Sequence, residues 1–279
     1  MKTRREFFKV AGTGLLAAGV SSAYGAPVFQ QAQEEVKDLF GLGIAGYTFR
    51  EFSVEQSIEM MKRVQVSNLS VKDFHMPYNS TPEQINSVIS KFRAGGVNVY
   101  AVGVVYMKTE QEVDRAFEYA KLAGVKIIVG APDYALIPYV EKKVKQYDIR
   151  LAIHNHGPDN PLFPNATDIW NNIWDKDKRM GICIDIGHTT RDGKNPVFDI
   201  LRYGSRIFDV HIKDVDGATK EGKTVEIGRG IIDIPGVIGA LRKIGFTGMC
   251  SLEFEKDMKD PLAGIAESIG YFKGAMKCK

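Results

Sequence analysis

Eight short apolar segments alternate with amphipathic segments along this chain, and that alternation restricts its fold more than any other feature of the sequence. The apolar segments, which we interpret as strands, are residues 42–49, 69–74, 97–106, 126–129, 150–154, 180–188, 207–213 and 249–255. The segments after them, which we interpret as helices, are residues 53–64, 81–96, 110–122, 136–146, 165–174, 197–203, 235–243 and 261–277. Alternating strands and helices with short connections are typical of a parallel sheet covered by helices. Eight such units predict an α/β fold, a single (β/α)8 TIM barrel of parallel strands.

A doubly wound open sheet is the alternative arrangement of alternating strands and helices. Such a sheet usually carries a glycine-rich, dinucleotide-binding turn after its first strand. The first predicted strand instead ends in the sequence GYTFR, which has no such turn. A length of 279 residues suits one barrel, and no repeat or composition break marks a second domain. We therefore predict a barrel domain over residues 39–279, preceded by a linker over residues 27–38.

The first 26 residues have the layout of a cleaved export signal, which we place over residues 1–26. The pair Arg4 and Arg5 precedes a modest apolar run over residues 10–20, and small residues follow over 21–26. Paired arginines ahead of such a run are typical of the twin-arginine export route. The apolar run is shorter than the ~20 residues that a membrane span needs. We therefore predict a periplasmic protein with no stable membrane anchor after cleavage; a basic amphipathic helix and an uncleaved anchor are the alternatives.

The charge balance of the chain argues against a nucleic-acid partner. The whole chain has 37 basic and 34 acidic residues, a formal net charge of +3. Residues 1–25 hold four of the basic residues and one of the acidic residues, so the rest of the chain has 33 of each. Binding to a phosphate backbone usually requires a positively charged surface, which a balanced chain does not predict.

The three cysteines do not indicate a disulfide framework. Strand parity places Cys183 on the face of Asp185 and Cys250 on the face of Leu252, and the third cysteine is Cys278. An exported protein without disulfides must rely on its hydrophobic core for stability. A hydrophobic content of 44% is sufficient for such a core.

Polar side chains gather at the carboxyl ends of the last four predicted strands. In the segment 180–188, isoleucines alternate with other residues, so a strand places them on one face and Asp185 on the other. The same parity points His154, His211 and Glu253 toward the barrel interior. Because functional groups of TIM barrels meet at the carboxyl ends of the strands, we expect these four side chains at one mouth. Mixed imidazole and carboxylate ligands suit Mn²⁺, Zn²⁺, Co²⁺ or Fe²⁺.

Four motifs make the sequence similar to a known family. They are DIGH at Asp185–His188, VHIKD at Val210–Asp214, GRGIIDIPGV at Gly228–Val237 and GMCSLEFE at Gly248–Glu255. With these motifs the chain resembles the sugar phosphate isomerase/epimerase family, the xylose isomerase-like TIM barrels. The resemblance implies one divalent metal ion, Mn²⁺ in the first place, with Zn²⁺, Co²⁺ or Mg²⁺ as alternatives. By position it assigns metal binding to Asp185, His211 and Glu253.

The sequence departs from the family pattern on the fifth strand. Epimerases of the family have a metal-bound glutamate there, which forms an acid/base pair with the glutamate of the eighth strand. This chain reads IHNH, so His154 occupies that place and is our fourth predicted ligand, with His156 as the alternative. Glu253 is then the expected catalytic base, and His156, Lys213 or His188 would supply a second proton relay.

Further residues near the predicted mouth are candidate substrate contacts. They are His188, Lys72, His75 and Arg229, each of which follows a strand or lies in a loop. A loop cap is the alternative role of His188, and an exposed loop position is the alternative for Lys72 and His75. The Lys213 ammonium either holds a substrate oxygen or forms an ion pair with a neighbouring aspartate.

The predicted site suggests a metal-dependent isomerase or epimerase that removes a proton next to a carbonyl. Its expected substrate is a free sugar, a keto sugar or a glycoside, because export makes a sugar phosphate a poor candidate. The first alternative is a lyase or dehydratase of keto sugars, similar to inosose dehydratase or to an enzyme that eliminates from 3-keto-glycosides. The second is a periplasmic sugar-binding protein without catalysis. Related endonuclease barrels share the DxxH pattern of Asp185 and His188, but the charge balance argues against them. A homo-oligomer is compatible with the sequence.

Overall fold

Residues 38–278 are described by the computed structural model, and their strands close into a barrel with helices around it. The first seven barrel strands are β1 (Gly41–Ala45), β2 (Asn68–Val71), β3 (Asn98–Met107), β4 (Ile127–Pro132), β5 (Arg150–His154), β6 (Met180–Asp185) and β7 (Ile207–Ile212). Two short strands, β8 (Asp214–Val215) and β9 (Thr224–Val225), then pair antiparallel in a loop. The eighth barrel strand is β10 (Met249–Leu252), which pairs parallel with both β7 and β1. The predicted (β/α)8 barrel is confirmed.

The helices of the described residues follow the strands in the predicted alternation. They are α1 (Val54–Arg63), α2 (Pro82–Ala94), α3 (Glu110–Leu122), α4 (Ile137–Tyr147), α5 (Ala166–Ile173), α6 (Ile186–Arg191), α7 (Pro196–Tyr203), α8 (Ile234–Lys243) and α9 (Leu262–Lys277). The starts of α1 and α2 are set by capping boxes. Ser53 and Gln56 exchange side-chain and backbone hydrogen bonds at the first start, and Thr81 and Gln84 do so at the second.

Five strands end before the positions that the sequence predicted, namely β1, β2, β6, β7 and β10. The first strand ends at Ala45, and residues 46–49 form a 3₁₀ turn. The Thr48 hydroxyl in this turn donates to the Leu252 carbonyl oxygen and accepts from the Phe254 amide, so the turn covers the end of β10. The sixth strand ends at Asp185, because its Oδ1 atom accepts the His188 amide at 2.7 Å and caps α6.

Strand parity divides the buried side chains into two layers, as predicted. The layer between strands and helices includes Leu151, Ile182, Val210 and Leu252. The layer inside the barrel is smaller and holds the side chains of Ala101, Val104, Ile127, Val129, Ala152 and Cys183. Each fully buried aliphatic side chain contributes about 1.5–3 kcal/mol, so the many members of the outer layer stabilise the barrel without a disulfide. All three cysteines are free thiols, as expected.

The predicted export signal and nearly all of the predicted linker lie outside the described residues, so they stay predictions. Between residues 38 and 278, no helix is long and apolar enough to cross a membrane.

Candidate metal centre and active site

Four buried side chains meet at the carboxyl ends of β5, β6, β7 and β10. They are His154, Asp185, His211 and Glu253, and none of them is more than 5% exposed. Each offers one ligand atom that lies within 4.8 Å of the ligand atoms of the other three. The His154 Nε2 atom is 3.7 Å from Asp185 Oδ2 and 3.9 Å from Glu253 Oε2, and the His211 Nδ1 atom is 3.4 Å from Glu253 Oε2. The structure therefore brings together the four residues predicted to bind a metal ion.

The polar atoms of this cluster fit a metal ion in their chemistry as well as their spacing. Both ring nitrogens of His154, both ring nitrogens of His211 and the Oδ2 atom of Asp185 are buried, with no hydrogen-bond partner among the described residues. A buried polar atom without a partner costs about 1–3 kcal/mol. Two imidazoles and two carboxylates are suitable ligands for a divalent transition metal or Zn²⁺. These four residues are therefore the ones that would hold it.

Lys213 places a positive charge against the carboxylates of the cluster. Its fully buried Nζ atom is 3.2 Å from Asp185 Oδ2, 3.0 Å from Glu253 Oε2 and 2.9 Å from Glu255 Oε2. Burial lowers the pKa of Lys213, but attraction by the carboxylates of Asp185 and Glu253 raises this pKa by a larger amount. The ammonium therefore stays charged. Burial likewise raises the pKa of Glu253, and attraction by Lys213 outweighs it, so this carboxylate stays ionised at neutral pH.

Asn155 fixes the end of β6 and was not identified from the sequence. Its Oδ1 atom accepts the Asp185 amide at 2.8 Å, and its Nδ2 atom donates to the Asp185 carbonyl oxygen at 3.3 Å. The same Nδ2 atom donates to the Thr189 hydroxyl at 3.3 Å. These bonds hold the backbone of Asp185, while its Oδ1 atom caps α6 and its Oδ2 atom faces the Lys213 ammonium and the His154 ring. In the sequence, the only indication of this role was the position of Asn155 between His154 and His156.

A pocket of about 350 Å³ lies over the cluster, a volume suited to a small molecule. Its lining residues are Tyr47, Lys72, Val104, Tyr106, His154, His156, His188, Glu253 and Glu255. Lys72, His156 and His188 were predicted near the mouth, whereas Tyr106 and Glu255 were not among the predicted contacts. The Lys72 ammonium forms an ion pair with Asp73 at 2.6 Å. Tyr106 was not identified from the sequence, because a tyrosine on a strand is usually interpreted as a core residue.

His156 and His188 are neutral and line the pocket. Burial lowers the pKa of His156 to about 3 and that of His188 also to about 3. The Tyr106 hydroxyl and the His156 Nε2 atom are hydrogen bonded at 2.8 Å. His156 does not belong to the metal-binding group, so the structure favours His154 as the fourth ligand. Neutral imidazoles can accept from or donate to the hydroxyl groups of a polyol.

Two predicted substrate contacts lie outside the pocket lining. The His75 Nε2 atom lies 3.0 Å from the Phe52 carbonyl oxygen and 3.2 Å from the Ser57 hydroxyl. The His75 side chain therefore packs against α1. Arg229 binds the carboxylate of Glu267 on α9 through Nε and Nη2. Neither residue lines the pocket, and the His75 Nε2 atom and the Arg229 guanidinium have these partners instead.

Comparisons with known proteins agree with the barrel fold. A family model described as xylose isomerase-like TIM barrel matches residues 56–275. The chain is 28% identical over 131 residues to the rhizopine catabolism protein MocC of Rhizobium meliloti, a match that spans 42% of this chain and 40% of that relative. The structure of the 3-keto-D-glucoside 4-epimerase YcjR of E. coli superposes with a TM-score of 0.69 at 14% identity, over 84% of this chain and 99% of that chain. The structure of the IOLI protein with a binding zinc atom superposes with a TM-score of 0.68 at 17% identity, over 85% and 96%.

Proposed function

The chain belongs to the xylose isomerase-like TIM barrel family, and on that basis we propose that it is a metal-dependent enzyme that isomerises or epimerises a neutral carbohydrate. The substrate is a free sugar, a keto sugar or a glycoside, and the reaction begins with removal of a proton next to its carbonyl. One observation carries the proposal. The ionised carboxylate of Glu253 belongs to the metal-binding cluster and also lines the pocket.

Glu253 is the base of the proposed reaction. Its carboxylate is ionised, and it faces the pocket in which a sugar would lie. A divalent ion held by His154, Asp185, His211 and Glu253 would polarise the substrate carbonyl and so acidify the neighbouring C–H bond. The Lys213 ammonium, 3.0 Å from Glu253 Oε2, keeps the carboxylate from taking a proton in the resting state. Glu253 is therefore ionised at the start of each turnover, which is the state in which a base can accept a proton.

Return of the proton distinguishes isomerisation from epimerisation. Epimerisation at one carbon needs a proton donor on the face opposite the base, and β5 supplies His154 there instead of a carboxylate. Tyr106 and His156 form a hydrogen-bonded pair on the pocket wall and are the groups that could donate from another direction. The Lys213 ammonium contacts the carboxylates of Asp185, Glu253 and Glu255, so it serves as their counter-charge.

Elimination of water or an alcohol from a keto sugar is the second candidate, and the single carboxylate base favours it. An eliminase needs one base for the C–H bond and one neutral donor for the leaving oxygen. Glu253 fits the first role, and His156 or the Tyr106 hydroxyl fits the second, because they are hydrogen bonded to each other at the pocket.

The charges around the pocket favour a substrate without phosphate. The two lysines at the site are both paired, Lys72 with Asp73 and Lys213 with the carboxylates of the centre. Glu253 and Glu255 add negative charge to the lining. A phosphate dianion would be repelled by these carboxylates, whereas hydroxyl groups can bind to them and to the imidazoles.

Exchange of substrate hydrogen with solvent tests the proposal. The metal-loaded protein is incubated with a panel of free sugars, keto sugars and glycosides in deuterated water, and each product is analysed by NMR and mass spectrometry. We expect deuterium next to a carbonyl for an isomerase or epimerase, and loss of water or an alcohol for a lyase. Binding of a sugar without exchange at any carbon would overturn catalysis and leave a sugar-binding protein.

Glu253→Gln should abolish this exchange while the fold stays intact, because the amide occupies nearly the same volume but cannot accept the proton. Glu226→Gln is the matched control, since that glutamate is ion-paired with Lys256 and does not line the pocket. Near-normal exchange by Glu253→Gln would show that another residue is the base.

A further inference from the structure

A thiol lies directly beneath the metal centre, in the layer inside the barrel. Cys183 precedes Asp185 by two residues on β6, so both side chains point inward and Cys183 lies one step deeper. It is fully buried, and in the sheet it pairs with His154 of β5. Most of its neighbours in this layer are small or aliphatic side chains, and the buried carboxylate of Asp209, its sheet partner on β7, accepts a hydrogen bond from the Tyr100 hydroxyl.

Cys183 forms a second group of ligands with two residues that the upper centre already uses. Its Sγ atom, one nitrogen of His154 and one nitrogen of His211 all lie within 4.8 Å of one another. Both imidazoles are at most 2% exposed, and neither ring has a hydrogen-bond partner on either nitrogen among the described residues. His154 and His211 therefore lie near the carboxylates of Asp185 and Glu253 on the pocket side and near the Cys183 thiol on the other side.

We infer that Cys183 is a metal ligand, and that its sulfur makes the centre prefer Zn²⁺ or Co²⁺ over Mn²⁺. The inference rests on the metal centre of the proposed function, but it concerns which metal is held and by which atoms. Binding at this position exchanges the S–H bond for a metal–sulfur bond, and the displaced proton leaves to solvent. A thiolate is a soft ligand suited to Zn²⁺, whereas oxygen ligands suit Mn²⁺.

The spacing of the group permits such a bond after a small contraction. In a tetrahedral site with bonds of about 2.0–2.3 Å, ligand atoms lie roughly 3.5 Å apart. The group in the structure spans at most 4.8 Å, so a closing movement of about 1 Å at side-chain level completes it. The alternative role of Cys183 is that of a small apolar side chain that fills the barrel interior, and this role needs no metal.

Cobalt substitution of the full-length protein distinguishes these roles without an activity assay. Bound Co²⁺ is counted by elemental analysis, and the near-ultraviolet spectrum is searched for the sulfur-to-cobalt charge-transfer band. We expect the band in the wild-type protein and in Cys250→Ala, a buried cysteine on the outer face of β10. We expect Cys183→Ala to lose the band, still to bind Co²⁺ through the carboxylates, and to lose roughly tenfold or more of the Zn²⁺-over-Mn²⁺ preference.

Stoichiometric Co²⁺ without the band in the wild-type protein would overturn the inference, as would a band that persists in Cys183→Ala. Should Cys183→Ala not fold, X-ray absorption of the wild-type zinc protein gives the answer by itself. A sulfur scatterer at about 2.3 Å supports the inference, and a first shell of nitrogen and oxygen alone rejects it. If the metal has a sulfur ligand but the protein exchanges no sugar hydrogen, Cys183 is a ligand and the proposed function is rejected. If the protein exchanges sugar hydrogen but the metal has no sulfur ligand, only the role of Cys183 is rejected.

Discussion

Lys213 is the residue whose charge decides how the centre behaves without a metal ion. Its ammonium is the buried cation next to Asp185 Oδ2 and Glu253 Oε2, at 3.2 and 3.0 Å. Lys213→Met keeps most of the packing volume but leaves both carboxylates without a counter-charge. We expect the metal-free variant to lose on the order of 3 kcal/mol of unfolding free energy. A divalent ion should then restore more stability to the variant than it adds to the wild type.

Urea denaturation with a chelator and with saturating Zn²⁺ measures both effects. Lys256→Met is the control, because it breaks the ion pair with Glu226 at a more exposed position outside the pocket. An equal zinc-induced shift in Lys213→Met and in wild type would mean that the lysine does not act as the counter-ion.

Asp199 gives the protein a stability that depends on pH. Its carboxyl group is 5% exposed, and its Oδ2 atom has no hydrogen-bond partner within residues 38–278. Burial raises the pKa of Asp199 to about 6, whereas an unfolded aspartate titrates near ~4. Between those values the native state binds more protons than the unfolded state, so the contribution of Asp199 to stability falls as pH rises through this window.

Replacing Asp199 by Asn removes the ionisation that this burial opposes. We expect Asp199→Asn to be more stable than wild type by on the order of 2 kcal/mol at pH 8, and to differ little from it at pH 4. Urea midpoints at the two pH values measure the difference. A difference of the same size at both would show that ionisation of Asp199 is not the cause.

At the scale of the elements, helix starts depend on side chains that can be read directly from the sequence. The Ser53 hydroxyl accepts the Gln56 amide at the start of α1, and the Gln56 side chain accepts the Ser53 amide in return. Ser53→Ala should cost about 1 kcal/mol of unfolding free energy, because one orphan amide loses its partner. Ser87→Ala, an exposed position inside α2, is the matched control and should be neutral or slightly stabilising. Chemical denaturation of both variants measures the contrast, and equal effects would argue against a capping role.

Among the α-helices between residues 38 and 278, α6 is the one that the sequence did not predict, and the active site depends on it. Asp185 ends β6 and caps α6 with one carboxylate oxygen, while Asn155 holds its backbone. The sequence shows the strand through its alternating isoleucines. It does not show the helix, because Ile186–Arg191 is too short for a period of 3.6 to be seen.

At the scale of the whole molecule, a metal ion would connect the ends of four strands that are distant in sequence. Its binding should stabilise the native state by about 2.7 kcal/mol at a concentration 100-fold above the dissociation constant. We expect a chelator to lower the melting temperature by several degrees and Zn²⁺ to restore it. His211→Ala should lose this metal-dependent shift, whereas His75→Ala, a buried histidine outside the cluster, should keep it. Calorimetry measures both, and a full shift in His211→Ala would remove that residue from the ligands.

The sequence by itself determined the barrel and the polar side chains that point toward its interior. Period-two alternation assigns each strand residue to one face, so His154, Asp185, His211 and Glu253 could be placed inside from the isoleucines and leucines beside them. Parity is a local property of each strand, so the predicted direction of a side chain does not depend on the distance between strands.

Distances between strands were decided only by the tertiary structure. The closure of β1 on β10 and the register shift between β6 and β7 determine which polar atoms meet. In the folded barrel His154, and not His156, belongs to the candidate metal-binding group, Lys213 contacts both Glu253 and Glu255, and Cys183 lies beneath the centre. Arg229 pairs with Glu267, outside the pocket. A sequence fixes the direction of each side chain, but an ion pair or a metal site also requires a separation of a few ångströms, and only packing of the whole barrel sets that.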